Sequence, residues 1–430
     1  MTPRELLLAS FRAALTAADP LQIVPRHLPA PPASGRTIVI GAGKAAAAMA
    51  KAVEDHWPAG ASLEGLVITR YAHGYAGAES LKRICVVEAG HPVPDESGER
   101  AAKEILSLAK TAGAEDLLLV LVSGGGSSLL SLPAGEVGMA DLKLVTRDLL
   151  NSGAPIQEMN VVRKHLSAIQ GGRLAAATAA RVVTLIISDV TGDDPSAIAS
   201  GPTAPDSSTY QDALDILNRY RITPPVSIAR HLSNGARGNI AETLKANDAA
   251  FARVENHLIA TARQSLSMAA AFFQAHGITP MIMGDSVTGE AREVAKVYGA
   301  LVRQIRQHHH PLKPPVALIP GGECTVTLAA GNKGRGGRCS EFLLSLAIDL
   351  DGLAGVHAIA CDTDGIDGSE HNAGAILLDD SPARAAAAGL NAIHQLEAND
   401  AFGYFAPIDD LIVTGPTRTN VNDFRAILIQ

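Results

Sequence analysis

The sequence predicts an α/β protein of two domains, each with a mainly parallel sheet covered by helices. Apolar, strand-like runs alternate along the chain with alanine-rich segments of helical period. Hydrophobic residues make up 47% of the 430 residues and aromatic residues only 3%, a composition typical of buried parallel sheets built from Ala, Leu, Val and Ile. Three of the apolar runs end abruptly in glycine-rich loops, which indicates strands that open into anion-binding turns.

The first five predicted strands are short apolar runs separated by helical segments. They cover residues 37–40, 65–69, 84–88, 117–122 and 183–188, with helices at 44–56 and 98–110. We expect these elements to form a doubly wound first domain.

A polar, turn-rich stretch between residues 222 and 248 separates the two halves of the chain. The strand–helix alternation restarts at residue 256, so we predict domains at 1–235 and 236–430. The second domain is expected to contain strands near 280–283, 316–319, 356–360 and 411–413.

Charge and cysteine usage narrow the class of protein. The formal net charge is −8 and Lys/Arg-rich runs are absent from the sequence, which argues against nucleic acid or an anionic membrane as partner. Four cysteines are scattered without a C-x-x-C pair, so neither a disulfide framework nor a zinc ribbon is indicated, and a reducing cytoplasm is favoured. We find neither a signal peptide nor an apolar stretch of about 18 residues. These features predict an enzyme that acts on small molecules.

The first glycine-rich loop matches the dinucleotide-binding pattern G-x-G-x-x-G/A. Gly41 and Gly43 would let the backbone approach a phosphate, and Lys44 would place a positive charge at the start of the next helix. An NAD site also needs an acidic residue at the end of the second strand, but that strand ends in Arg70, which leaves NADP open. The alternative is a tight packing turn followed by a surface lysine.

The second glycine-rich loop, at residues 123–128, is richer in hydrogen-bond donors. Its glycines allow close backbone approach and its hydroxyls can bond phosphate oxygens, although a Walker A lysine does not follow. A purely structural turn is the alternative. The predicted phosphate ligands are Ser123, Gly124, Gly125, Gly126, Ser127 and Ser128.

Cationic and acidic residues follow in the same half of the chain. Arg163 and Lys164 offer positive charge for a small carboxylate, unless they lie on a solvated helix face. Asp189 follows a predicted buried strand, and Asp193 lies in the next turn with Asp194, where oxygen ligands for a magnesium–phosphate complex are expected. Helix capping or turn stabilisation is the alternative for these carboxylates.

Two further loops lie in the second half. In the loop at residues 334–338, Arg335 and Arg338 stand among glycines and can direct planar guanidinium groups at phosphate or carboxylate oxygens. The segment at 414–423 offers hydroxyls and amides, Asn420 among them, for sugar or substrate hydroxyls.

Taken together, the motifs resemble the MOFRL family of glycerate 2-kinases. They run in order along nearly the whole chain: Gly41-Ala-Gly-Lys44, His91-Pro-Val-Pro-Asp95, Ser123-Gly-Gly-Gly-Ser-Ser128, Arg163-Lys-His-Leu-Ser167, Ile186-Ile-Ser-Asp-Val-Thr-Gly-Asp-Asp194, Gly201-Pro-Thr203, Gly334-Arg-Gly-Gly-Arg338, Asp362-Thr-Asp-Gly-Ile-Asp-Gly368 and Thr414-Gly-Pro-Thr417. The resemblance implies two Rossmann-like α/β/α domains facing a cleft, and ATP-dependent phosphorylation of D-glycerate to 2-phosphoglycerate. It also implies that Lys44 and an arginine of the loop at 334–338 are essential. Relatives from tartrate degradation are called hydroxypyruvate reductase, so an NAD(P)H-dependent reductase is the alternative.

We therefore predict a kinase that uses ATP and Mg²⁺ as cofactors and glycerate as substrate. The loop at 123–128 would hold the ATP phosphates, Asp189 and Asp193 the metal, and Lys44 with Arg338 the transferring phosphoryl group. Arg335 would orient an anion, and the substrate would contact Arg163, Lys164 and Asn420. The oligomeric state is left open, with a homodimer as one option.

Overall fold

Two six-stranded sheets organise the chain in the computed structural model, which describes residues 1–328, 331 and 334–430. The strands are β1 (Thr37–Ala42), β2 (Leu63–Arg70), β3 (Ile84–Ala89), β4 (Leu117–Val122), β5 (Arg181–Ile187), β6 (Val254–Ala260), β7 (Thr279–Val287), β8 (Val316–Gly322), β9 (Val356–Asp362), β10 (Gly374–Leu377), β11 (Leu411–Ile412) and β12 (Asp423–Ile429).

The helices are α1 (Pro3–Thr16), α2 (Pro20–Ile23), α3 (Ala46–His56), α4 (Glu96–Thr111), α5 (Gly126–Leu129), α6 (Met139–Asn151), α7 (Ile156–His165), α8 (Arg173–Ala176), α9 (Tyr210–Arg219), α10 (Val226–Ala236), α11 (Ala262–Ala275), α12 (Ala291–His308), α13 (Arg338–Leu350), α14 (Ser381–Ala387), α15 (Ala392–Glu397) and α16 (Ala401–Phe405). Short 3₁₀ turns lie at Val24–His27, Gly77–Glu79, Ile198–Ser200, Ala249–Arg253 and Ala406–Ile408. Among the described helices, none combines the length and apolar character needed to cross a bilayer.

The first sheet has the strand order β3-β2-β1-β4-β5-β6. The pairings of β1 with β2 and β4, of β2 with β3 and of β4 with β5 are all parallel. Every residue of β1 and β4 is buried, as expected for strands covered by helices on both faces. The sheet confirms the predicted doubly wound architecture, with the strand order of a Rossmann fold.

This order brings the predicted motif loops to one edge of the sheet. The order reverses between β1 and β4, which makes their carboxyl ends the topological switch point where α/β proteins bind ligands. Lys44 follows β1, the loop at 123–128 follows β4, and Asp189 follows the neighbouring strand β5. Strand order therefore groups three motifs that are far apart in sequence.

The second sheet has the order β11-β10-β9-β12-β8-β7 and is mixed. Of its described pairings only β7 with β8 is parallel, and the other four are antiparallel. The α/β class is confirmed, whereas the expectation of a mainly parallel sheet does not hold here. The reason is that β10 follows β9 without a crossover helix and that β12, which the sequence analysis did not identify, enters between β8 and β9.

The chain divides into a first unit, Pro20–Ile259, and a second unit, Met1–Asp19 with Ala260–Gln430. This division differs from the predicted boundary after residue 235, because β6 completes the first sheet. It also assigns α1 to the second unit, where Leu7 and Phe11 are buried and the Phe11 ring stacks on Phe424 at 5.6 Å between centroids. The hydrophobic pattern of an amphipathic helix shows that one face is buried, but it does not show against which sheet.

Candidate active site

The loops after β1 and β4 are packed against each other in the first unit. Gly41 is paired with Leu121, and a Cβ on Gly41 would lie 2.0 Å from the Leu121 carbonyl oxygen. A Cβ on Gly43 would lie 2.1 Å from Ser123 Oγ. These two glycines of the dinucleotide-like pattern are therefore required for close packing between the loops, as the structural alternative proposed.

Hydrogen bonds join the same two loops. The Lys44 N–H donates to the Gly124 carbonyl oxygen at 2.8 Å, and the Ala45 N–H donates to Ser123 Oγ at 3.0 Å. Ser123 is fully buried, and Ser128 Oγ donates to the Gly125 carbonyl oxygen at 3.1 Å. The Ser123 and Ser128 hydroxyls thus stabilise the loops themselves.

The rest of the β4 loop is tied to the 3₁₀ turn that ends at Ser200. Ser200 Oγ donates to Ser127 Oγ at 2.9 Å. A Cβ on Gly126 would lie 2.5 Å from Ala199 Cβ, so Gly126 also serves packing. The loop is therefore held on both sides before any ligand binds.

Backbone donors remain at the centre of this loop. Within the described part of the chain, neither the Gly124 N–H nor the Gly125 N–H donates to a protein acceptor. Gly125 adopts φ +79°, and a Cβ there would lie 2.8 Å from His91 Nε2 and 3.4 Å from Lys44 Cγ. The Lys44 and His91 side chains therefore flank two peptide donors, an arrangement suited to an anion.

His91 is a site residue that the sequence analysis quoted only as part of a family motif. Its loop, between β3 and α4, is held by Asp95, which accepts from the Gly90 N–H (2.9 Å), the Gly98 N–H (2.9 Å) and the Tyr71 hydroxyl (2.7 Å). Burial opposes ionisation of Asp95, but these hydrogen bonds lower its pKa, so the carboxylate holds the loop at neutral pH. The sequence did contain a signal for His91: it follows a predicted strand whose carboxyl end lies at the same edge of the sheet as the glycine-rich loops.

The carboxylates after β5 differ in their surroundings. Asp189 is half-buried, whereas Asp193 lies in a tight turn with φ +55°. The Asp194 carboxylate accepts from the Ser196 N–H and Ser196 Oγ, both at 2.8 Å, and so stabilises its own turn. Among the described residues, no three or more His, Cys, Asp or Glu side chains form a metal-binding group. Mg²⁺ bound with a nucleotide needs only one or two protein carboxylates, so a metal role for Asp189 and Asp193 stays a prediction.

Arg163 lines a pocket next to the β4 loop. Its volume is about 310 Å³, including space open to solvent, and its other lining residues are Pro94, Ser128, Ser131, Leu132, Leu142, Thr146, Ser167 and Gln170. In the part of the chain that the structure describes, Arg163 makes no hydrogen bond or ion pair, and burial lowers the pKa of its guanidinium. Arg163 therefore presents an uncompensated positive charge to this pocket.

The neighbouring cation, Lys164, is paired with a carboxylate of the protein. It is buried, and its Nζ bonds Asp206 Oδ1 at 2.8 Å. Successive helix residues point about 100° apart, so Arg163 and Lys164 leave α7 on different sides. The structure separates the two predicted substrate ligands and gives Lys164 a structural ion pair.

In the second unit, Arg338 belongs to a network of acidic side chains. Its guanidinium bonds Asp362 at 2.7 Å, Asp423 at 2.9 Å and Glu323 at 3.1 Å. Burial alone would lower the pKa of Arg338, but these carboxylates raise it above its usual value. The predicted phosphoryl-binding side chain is thus surrounded by carboxylates of its own unit.

The loop that contains Arg338 is closed by another internal carboxylate. Asp367 accepts from the Cys339 N–H at 3.0 Å and the Ser340 N–H at 2.8 Å, so it occupies the N-terminus of α13. Arg335 pairs with Asp400 at 3.4 Å and lies over the Phe402 ring. The N–H groups at the start of α13 and the Arg335 guanidinium, which the sequence suggested as ligand donors, therefore have partners within the protein.

Asn420 lies in the second unit as well. It is buried, and its Oδ1 accepts from the Asn422 N–H at 3.3 Å. This contact shapes the segment after β11, and a substrate role for Asn420 stays a prediction.

The fold and the site together define a class: an α/β protein with glycine-rich loops and cationic side chains at a Rossmann switch point. Residues 6–233 match the domain of unknown function DUF4147, and residues 316–423 match the MOFRL family. The chain belongs to the family that combines these two domains, which confirms the predicted resemblance.

Individual relatives carry two different names. A protein of Agrobacterium vitis named "Putative hydroxypyruvate reductase" is 49% identical over 100% of this chain and 95% of its own length. A glycerate 2-kinase of Pyrococcus horikoshii is 40% identical over 90% of this chain and 86% of its own. The crystal structure of a glycerate kinase from Thermotoga maritima superposes with a TM-score of 0.86 at 36% identity, covering 99% of both chains.

Proposed function

We propose that this protein is a glycerate 2-kinase, which transfers the γ-phosphoryl group of ATP to D-glycerate and forms 2-phosphoglycerate. The observation that carries the proposal is the edge of the first sheet, where two unpaired peptide donors, the Lys44 side chain and the Arg163 pocket adjoin one loop. A kinase must bind two anions side by side, and this edge offers separate positive groups for each. The relatives named glycerate kinase support the same conclusion.

The β4 loop is the proposed binding site of the ATP phosphates. The Gly124 and Gly125 N–H groups would donate to phosphate oxygens, and Lys44 would stabilise the charge of the transferring group. Asp189, with Asp193, would hold Mg²⁺, which neutralises phosphate charge when bound. Arg338 and Arg335 stay predicted ligands of the transferring group and of an anion, respectively.

The second candidate is an NAD(P)H-dependent hydroxypyruvate reductase, favoured by the name of the Agrobacterium vitis relative. A dinucleotide site needs an acidic ribose partner at the end of β2, and β2 ends at Arg70 instead. Gly41 and Gly43, the glycines of the dinucleotide-like pattern, are engaged in packing the β1 loop against the β4 loop. The kinase is therefore the better-supported function.

The two functions are separated by products. With D-glycerate, ATP and Mg²⁺ we expect ADP to form, and phosphorus NMR should show a phosphate ester on the C2 oxygen. With hydroxypyruvate and NADH or NADPH we expect no loss of nicotinamide absorbance above background. Robust NADPH oxidation that Arg70→Ala abolishes would overturn the kinase proposal, and an ester at C3 would overturn its regiochemistry.

A metal-dependence prediction tests Asp189. In Asp189→Asn we expect the Mg²⁺ concentration for half-maximal activity to rise by about 10–100-fold, the range seen when a residue supporting a metal site is lost. Folding should be little changed, because the carboxylate acts on an ion rather than on the protein core. Asp194→Asn is the matched control, since that carboxylate bonds Ser196. An unchanged Mg²⁺ requirement in Asp189→Asn would move the metal site elsewhere.

We also propose that the protein acts in the cytoplasm on small molecules alone. All four cysteines are free thiols, the state that a reducing compartment maintains. The net charge of −8 supports the exclusion of nucleic acid as a partner. A homodimer stays an open option.

A further inference from the structure

Among the residues that the structure describes, Arg163 makes no ion pair, and this unbalanced positive charge points to an anionic ligand. We propose that the Arg163 pocket binds the carboxylate of the acceptor, and that Leu142 and Thr146 of α6 restrict that acceptor to short 2-hydroxycarboxylates. The assignment rests on the proposed kinase function for its acceptor, but the pocket can be tested without ATP.

The acidic side chains bonded along α7 and its surroundings are each engaged with another side chain. Asp206 bonds Lys164 at 2.8 Å, and Glu242 bonds His165 Nε2 at 2.9 Å. Glu158 bonds Arg219. Arg163 is half-buried, and a partly desolvated charge without a partner is costly in a folded protein, so this guanidinium indicates an anion that arrives from solution.

The polar groups around the pocket are mostly committed to the backbone. Ser167 Oγ accepts from the Ile169 and Gln170 N–H groups, both at 3.2 Å. The Gln170 amide donates to the Ser127 and Leu130 carbonyl oxygens at 2.8 and 3.1 Å. Arg163 is consequently the principal donor that the pocket offers, and its planar fork matches a carboxylate in bidentate geometry.

The pocket is small and has apolar walls. Leu132, Leu142 and Pro94 contribute carbon surface, and Thr146 stands one helical turn after Leu142 on α6. The space of about 310 Å³ is partly open to solvent, so an acid can approach Arg163 from outside. Side chains of this kind close to Arg163 oppose acids with long or branched chains.

The pocket also adjoins the proposed phosphate site. Ser128 lines the pocket, and its hydroxyl donates to the Gly125 carbonyl oxygen in the β4 loop. An acid whose carboxylate is held by Arg163 therefore lies next to the loop that would bind the phosphoryl donor. This adjacency is what transfer to a hydroxyl near the carboxylate requires.

Calorimetry with D-glycerate in the absence of ATP tests the site directly. For Arg163→Met we expect the Kd for D-glycerate, and the KM for D-glycerate in turnover, to rise by about 10–100-fold, with the KM for ATP unchanged. Arg163→Lys should fall between the parent and the methionine variant, because it keeps the charge and loses the fork. Arg147→Met, which removes an exposed arginine of α6, is the matched control and should bind as the parent does.

The Tm of thermal unfolding distinguishes a ligand-binding arginine from one that stabilises the fold. Because a half-buried charge without a partner disfavours the folded state, Arg163→Met should leave the Tm unchanged or raise it. A clear fall in Tm would show that Arg163 supports the fold and would overturn the assignment. An unchanged Kd for D-glycerate in a folded Arg163→Met protein would overturn it as well.

The size limit is tested on α6. Thr146→Ala should raise kcat/KM for four-carbon 2-hydroxy acids relative to D-glycerate, and Leu142→Ala is a second variant with the same expected effect. Unchanged relative specificity in both folded variants would overturn the role of α6.

If the parent forms no ADP yet binds D-glycerate through Arg163, the kinase proposal fails and the pocket stands. If ADP forms normally in Arg163→Met at low D-glycerate, the kinase stands and the pocket fails.

Discussion

Replacing Lys44 with methionine is expected to lower kcat by about 10²–10³-fold while the protein stays folded. A preorganised charge that contacts the reacting group contributes on this scale, because it stabilises charge that develops in the transition state. Lys44 is placed for this role: its side chain passes Gly125, whose N–H is one of the two unpaired donors of the β4 loop. The measurement is the rate of ADP release at saturating D-glycerate, ATP and Mg²⁺.

A control from the same helix makes this result specific. Lys51 lies on α3 and pairs with Asp55 at 2.9 Å on the surface. Lys51→Met removes the same charge from the chain and should leave kcat within about twofold, since exposed ion pairs of this kind contribute about 1 kcal/mol or less. Near-normal turnover in a folded Lys44→Met protein would rule out the proposed role.

The second large effect concerns the acidic network around Arg338. Arg338→Met is expected to lower the free energy of unfolding of the second unit by about 3–5 kcal/mol, the usual consequence of removing one partner from a buried ion pair. The variant leaves Asp362 and Asp423, whose side chains are 4% and 0% exposed, without this cation. Urea denaturation, which does not screen charges, measures the loss.

Two companion variants separate structure from catalysis. Arg335→Met removes an arginine from the same loop whose side chain is half exposed, so its stability should change by about 1 kcal/mol or less. Arg338→Lys keeps the charge in the network and loses the planar fork. If Arg338→Lys is as active as the parent, bidentate anion recognition by Arg338 is wrong, and a stable Arg338→Met protein would contradict the structural role.

The strands that the sequence predicted best are continuous apolar runs. β4 was identified with the bounds that the structure gives it, because a run of six apolar residues between turn signals is typical of a buried strand. β12 was missed, although it lies at the centre of the second sheet. Its Arg425 interrupts the apolar run. The charge is paired with Asp423 of the same strand at 2.6 Å, but the Phe342 ring over the guanidinium is supplied only by the fold.

The candidate site shows the same division. The glycine loops, Lys44 and the family could be identified from sequence, because loop motifs depend on local backbone geometry and their order along the chain is itself specific. The sequence could not tell Arg163 from Lys164, since the cation that lines the pocket and the cation in a structural ion pair differ by about 100° of rotation on the helix. Nor could it show that Asp367 occupies the N-terminus of α13.

The sequence by itself determined the α/β class, the positions of most strands, the glycine-rich loops and the family. These follow from hydrophobic periodicity, glycine placement and motif order, which are local properties of the chain. Only the tertiary structure decided which loops meet at the switch-point edge and that the second sheet is mixed. It also decided that, among the described residues, Arg163 makes no ion pair while Arg338 makes three. The reason is physical: pairing of strands and neutralisation of charges depend on groups distant in sequence, which folding alone brings within bonding distance.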